Sequence, residues 1–117
     1  NVLPNTTDME IAKRIAKMMR GPSGGFSTIR AVAFKPDNHD NVAVSMNMFD
    51  TDSTPIYRTF QLIENEARRY GLSVAGTQIC GTLHQSDLLS AAEYFLRLVD
   101  FDEKQILENN ILALGEE

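Results

Sequence analysis

The 117-residue chain has a single cysteine, Cys80, and no tryptophan. A lone thiol has no internal partner, so the fold must hold without disulfides, and the pattern suits a reducing, cytosolic compartment. No apolar run approaches the ~20 residues that a membrane span needs, and there is no signal-like segment. Positive charge is scarce: 11 Lys and Arg stand against 16 Asp and Glu, a net charge of −5. That balance disfavours nucleic acid as a partner, because phosphates must be neutralised by Lys and Arg. The familiar loops of nucleotide and acyl chemistry are missing, with no Walker A motif, no G-x-G-x-x-G and no G-x-S-x-G. The only histidines, His39 and His84, have no Cys, His or carboxylate at metal-ligand spacing, so no metal site is expected. A thiolate at Cys80 needs an adjacent base. The four-residue gap to His84 does not by itself supply one. A half-buried Cys80 and an incidental surface His84 are the plainer expectation.

What is present reads as one globular domain over residues 1–117. Hydrophobic residues make up 43% of it, and a chain of this length hides roughly two-thirds of its unfolded surface on folding, enough for a core without staples. The chain begins at Asn1 rather than Met, which suggests an excised domain, a cleaved chain or a trimmed one. Lys13, Arg14, Lys17 and Arg20 cluster early, while Asp100, Asp102, Glu103, Glu108, Glu116 and Glu117 crowd the end. Both clusters read as solvated helix faces.

Periodicity sets the order of elements. Thr7 and Glu10 have capping-box spacing ahead of a helix that carries Ile11, Ala12, Ile15, Ala16, Met18 and Met19 inward and stops at Gly21-Pro22. Phe26 to Lys35 and Asn41 to Phe49 read as an antiparallel hairpin around the turn-forming stretch from Pro36 to Asn41. The second of these strands alternates, with Val42, Val44, Met46 and Met48 on one face and Ala43, Ser45 and Asn47 on the other. Thr54 as N-cap with Pro55 in the first turn opens a second helix, whose stripe is Ile56, Phe60, Ile63, Ala67 and Tyr70, ended by Gly71. Leu72 to Cys80 reads as a strand interrupted at Gly76. Ser86-Asp87 opens a third helix bearing Leu88, Leu89, Ala92, Phe95, Leu96 and Val99, and Asp102 with Gln105 caps a fourth bearing Ile106 and Leu107. If Asn1 to Leu3 end a first strand, the order is βαββαβ, an α+β ferredoxin-like sandwich with its first strand truncated and extra C-terminal helices. Both inner helices then cover one sheet face and leave the Ser45/Asn47 face open. That face has no aromatics on its central strands, so stacking of RNA bases is disfavoured.

Longer stretches resemble a known family. Val44 to Asp50 (VSMNMFD), Thr54 to Arg58 (TPIYR), Glu66 to Gly71 (EARRYG) and Val74 to Gly81 (VAGTQICG) are similar, in order, to the second half of glutamate formimidoyltransferase. Ala91 to Leu96, Asp100 to Asp102, Gln105 to Asn109 and the Ile11 to Ala16 helix fit as well. The resemblance covers nearly the whole chain. It implies a transferase unit of two similar α/β halves, with tetrahydrofolate as co-substrate in the cleft between them. The formimino group passes there from N-formimino-L-glutamate to the folate, in histidine breakdown. It also implies that the general-acid/base histidine and the main folate loop belong to the N-terminal half, so no catalytic residue is assigned here and neither His39 nor His84 substitutes.

The residues implied to bind substrate in this half are Ser45 and Asn47 on the open face, Gly76, where a backbone or flat ring can approach, and Thr77 and Gln78, where the family has serine and glutamate. Gln78 departs from the expected acid, and His84 stands where a proline is usual. The expectation is thus an enzyme half that is inert alone and needs its N-terminal partner half, with homo-oligomer formation left open. The other reading is a non-enzymatic interaction or small-molecule-binding module on the same fold.

Overall fold

The computed structural model describes residues 1–20, 29–48 and 50–115. Its elements run β1 (Val2–Pro4), α1 (Met9–Met19), β2 (Ile29–Phe34), β3 (Ala43–Met48), α2 (Ile56–Arg68), β4 (Val74–Thr77), α3 (Gln85–Leu96), a 3₁₀ turn (Glu103–Gln105) and α4 (Leu107–Gly115). The sheet order is β2-β3-β1-β4 with every neighbouring pair antiparallel, the ferredoxin-like α+β arrangement. No helix among the described residues is long and apolar enough to cross a membrane.

Helix α1 begins one residue later than the Thr7 capping box implies. Asp8 is the N-cap: its carboxylate accepts the Glu10 N–H at 3.0 Å, and Thr6 Oγ1 accepts the Asp8 N–H at 3.1 Å. A carboxylate also meets the positive end of the helix dipole, which a threonine hydroxyl does not. Glu10, freed from the cap, lies 3.4 Å from Lys13. Ala12, Ile15, Ala16 and Met19 are buried, but Met18 falls to the flank and is exposed. The Gly21-Pro22 stop and the start of the next strand lie outside the described residues; α1 reaches Met19 and β2 is described from Ile29.

The hairpin pairs Ile29 with Met48 through Phe34 with Ala43 in unbroken register. Alternation sends Ile29, Ala31, Val44, Met46 and Met48 toward the helices and Arg30, Val32, Phe34, Ser45 and Asn47 to the other face. Val42, expected in the strand, precedes it and donates its N–H to the Thr6 carbonyl instead. Strand β1 lies between β3 and β4, with Val2 opposite both Val44 and Thr77. Leu3 pairs with Gly76 and Pro4 with Val74, so Ala75 has no opposite number and β4 bulges there. Pro4 has no N–H for the ladder, which fits a break at that point.

Helix α2 starts at Ile56, with Pro55 in the cap position rather than the first turn. The turn before it explains the offset. Asp50 accepts the Asp52 and Ser53 N–H groups and the Ser53 hydroxyl, and Thr54 N–H bonds to the Asp50 carbonyl, which holds the chain extended through Pro55. The Ser53 hydroxyl, then the backbone donors, lower the Asp50 pKa below its ordinary value. Ile63 and Ala67 are fully buried, and so is Thr59, whose hydroxyl donates to the Ile56 carbonyl at 2.7 Å. Gly71 closes the helix at φ +71°, in the left-handed region. The core lies between these two helices and one sheet face: Val2, Ile15, Ala16, Met19, Ile29, Ala31, Val44, Ile63 and Ala67.

The C-terminal helices depart from expectation. Helix α3 begins at Gln85, with His84 as N-cap and Asp87 accepting the His84 N–H at 3.2 Å. No residue of α3 is buried: Leu88 is 51%, Phe95 49% and Leu96 68% exposed, and Val99 beyond it 82%. Periodicity formed the helix; among the described residues its far side stays exposed. It leans on α2 through Tyr94, stacked on Tyr57 at 4.3 Å, and Phe95, edge-on to Phe60 at 5.9 Å. Asp102 and Gln105 do form a reciprocal box, but it closes a single 3₁₀ turn; Ile106 is extended and α4 starts afresh at Leu107.

Candidate functional site

The sheet face away from α1 and α2 carries the polar residues the sequence singled out. Val32 is opposite Ser45, and Arg30 opposite Asn47, across the β2–β3 hairpin. Because Val2 pairs with Val44, Asn1 comes beside Ser45. Asn1 and Gln78 exchange both ladder bonds: the Asn1 nitrogen donates to the Gln78 carbonyl at 2.9 Å and the Gln78 N–H to the Asn1 carbonyl at 2.7 Å. A row Val32–Ser45–Asn1–Gln78 therefore crosses all four strands, with Asn47 exposed beside it.

Side chains extend the row. Asn1 Nδ2 donates to Gln78 Oε1 at 3.3 Å, so the Gln78 nitrogen is what remains to face His39 Nε2, 2.9 Å away. An amide N–H can only donate; the His39 Nε2 must then accept, which puts the proton of the neutral ring on Nδ1. His39 reaches this position because the β2–β3 loop folds back over the sheet. Lys35 Nζ holds the His39 carbonyl at 2.9 Å, Pro36 is buried, and Leu3 and Ala43, which alternation places on this face, are 4% and 0% exposed. The face expected to be open is thus covered at its upper end and free at its lower end, where Val32 is 58% exposed.

The five expected binding residues do not all share one surface. Ser45, Asn47, Thr77 and Gln78 line one open cavity of about 1040 Å³ that runs from this face around the start of β1 to α3. Within it, Thr77 belongs by alternation to the opposite side of the sheet, with Val2 and Val44. Gly76 is on the polar face opposite Leu3 but is not part of the cavity wall, and a Cβ there would meet nothing within 4 Å. On the helix side the cavity is walled by Tyr57, Phe60 and Phe95.

Asn1, His39 and these three aromatics went unrecognised as wall or neighbour of the site. Strand pairing places Asn1, but no local spacing signals that His39 meets a residue 39 positions away. Cys80 is exposed, not half-buried, and its sulfur receives Asn1 Nδ2 at 3.4 Å, while His84 is occupied at the head of α3. Burial lowers the pKa of the Asn1 amine, with the Cys80 charge opposing in part. No cluster of three metal-ligating side chains occurs among the described residues.

The chemistry on offer is hydroxyl, carboxamide and imidazole groups beside an apolar floor, with the Asp87 carboxylate on the α3 wall and Arg30 across from Asn47. Comparison with known proteins places the chain in a family. Glutamate formimidoyltransferase of Streptococcus pyogenes serotype M1 is 42% identical over 114 residues, covering 97% of this chain and 38% of that protein. Its namesake in Thermoplasma acidophilum is 39% identical over 111 residues, covering 95% and 37%. The formimidoyltransferase-cyclodeaminase of Gallus gallus is 24% identical over 94 residues, covering 75% and 17%. The chain thus spans less than two-fifths of the length of each of these relatives. A family model described as formiminotransferase domain matches residues 1–117, and the chain belongs to that family.

Proposed function

We propose that this chain is the second half of a glutamate formimidoyltransferase, moving a formimino group from N-formimino-L-glutamate to tetrahydrofolate and releasing glutamate, as in histidine degradation. The observation that carries this reading is the family match over the full chain. The polar row supports it physically. Tetrahydrofolate supplies the amine that accepts the group. Its planar, amide-bearing ring suits a surface on which Val32 offers apolar contact and Ser45, Asn47 and Gln78 offer neutral donors and acceptors. These residues bind and orient; they hold no charged acid or base for the leaving nitrogen. Proton transfer falls to the N-terminal half across the cleft, so the isolated chain is inert, and a cytosolic location follows from the pathway.

A second reading, a binding module without catalysis, draws on Gln78. A neutral amide cannot hold a cationic formimino group as a carboxylate does. The two readings separate in the longer protein. Asn47→Ala should weaken tetrahydrofolate binding about tenfold, the worth of one well-placed hydrogen bond, with the melting temperature unchanged. Calorimetric titration measures the first and a thermal scan the second. Undiminished affinity with a lowered melting temperature assigns Asn47 a structural role. Formimino transfer by the 117-residue chain alone overturns the half-site reading.

A further inference from the structure

Two patches of opposite charge take no part in the polar face. Helix α1 turns Lys13, Arg14, Lys17 and Arg20 outward, and Glu10 is its only acid. Of these four cations only Lys13, 3.4 Å from Glu10, is ion-paired among the described residues. Beside them a groove of about 380 Å³ runs between α1 and the edge strand β2. The four cations line it together with Ala16, Ala31, Val32 and Ala33, so small apolar residues lie under a basic rim.

The later helices reverse the charge. Between Leu98 and Leu112, Asp100, Asp102, Glu103 and Glu108 stand against Lys104 alone. Asn109 and Asn110 donate to the Glu103 and Lys104 carbonyls at 3.2 and 3.3 Å, which holds their side of α4 to the 3₁₀ turn. Leu107, Ile111 and Leu112 fall on the opposite side, each more than half exposed. Glu108, one turn before Ile111 and Leu112, is exposed among them. These elements lengthen the molecule: its radius of gyration is 16.5 Å, against roughly 13 Å for a compact chain of this length. Within one copy the two patches do not satisfy each other, since the arm's leucines and the α1 cations are all exposed.

We propose that residues 100–112 of one copy seat in the α1–β2 groove of a second copy, and the reverse, closing a dimer. Leu107, Ile111 and Leu112 lie over the alanines and Val32, and Glu108 lies between Arg14 and Lys17. Charge complementarity picks the occupant. An acidic helix with an apolar stripe meets a basic rim around an apolar floor, and a second copy carries both. Exposed ion pairs are individually weak, so the aliphatic contacts supply most of the affinity and the charges set register and partner. Nothing in this contact depends on the transferase reading.

Two experiments on the longer natural polypeptide test it. In sedimentation equilibrium the protein should self-associate, and more weakly as salt rises. Arg14→Glu with Lys17→Glu, Glu108→Lys alone, and Leu107→Ser with Ile111→Ser should each weaken association about tenfold or more. The three charge reversals combined in one chain should restore it. Melting temperatures should hold, because every altered side chain is exposed. A monomer at all concentrations, reversals without effect, or reversals that are not rescued in combination overturn the proposal. In the second experiment a carbodiimide joins amines to the carboxylates they touch, and the products are separated on a denaturing gel. Lys13 or Lys17 should be joined to Glu108 in the band of doubled mass. The same linkage confined to the monomer band means that the arm lies on its own chain, and no such linkage in either band means that it lies elsewhere. Both results overturn the proposal.

Discussion

The sandwich helices and α3 all carry apolar residues at helical spacing yet end in opposite environments, the α3 pattern being the more apolar and the less one-sided. Ile63 of α2 is 0% exposed, while Leu96 of α3 is 68% exposed. In α2 the stripe meets a sheet face and α1; α3 meets α2 through the side bearing Tyr94 and Phe95. Hydrophobic periodicity therefore specifies a helix and its inner face, but whether that face finds cover depends on surfaces that the pattern does not encode.

The largest effect that tests this contrast is Ile63→Ala. A fully buried branched side chain lost from a closed core should cost about 2–5 kcal/mol, measured by chemical denaturation. Loss below about 1 kcal/mol would mean the sandwich is as loosely held as the helices beyond it. Next comes Tyr94→Ala, which removes the ring stacked on Tyr57 and the bond from Gln61 at 2.9 Å. The expected cost is about 0.5–1.5 kcal/mol, seen as faster amide exchange in α3 with α1 and β3 unchanged. Equal acceleration everywhere would show that the two regions open as one unit and erase the distinction. Leu96→Gln should be the mildest, within about 0.5 kcal/mol in this chain, since it removes a side chain that is mostly in water. A larger loss would mean that Leu96 is packed in solution.

Much of the fold was legible because its cues are local. The Ile11–Met19 and Ile56–Ala67 stripes, the alternation from Val44 to Met48 and the glycine at 71 each follow from a single period or a single φ. Caps were legible only to within a residue, since Thr7 and Asp8, or Thr54 and Pro55, compete for the same role and neighbouring turns decide between them. A first strand could be read at Asn1 to Leu3, and its place in the sheet followed from topology. The site was half legible. Alternation put Ser45 and Asn47 on one face, but the same rule, applied to β4, sends Thr77 to the other. The contact of His39 with Gln78 depends on a loop folding back over the sheet, and that is a tertiary event with no spacing to announce it.

The sheet order carries a consequence for how the chain acquires its shape. Strand β1 precedes the other strands of this domain in the sequence yet lies in the interior of the sheet, between β3 and β4. The bonds of Asn1 to Gln78 close a loop 77 residues long. Helix α1 and the β2–β3 hairpin can form from near neighbours, but β1, which pairs with both β3 and β4, completes its pairing only once Val74 to Gln78 have been made. Contacts of such separation slow folding and prolong exposure to aggregation. Within this domain, the residues of the earliest strand are among the last to complete their pairing.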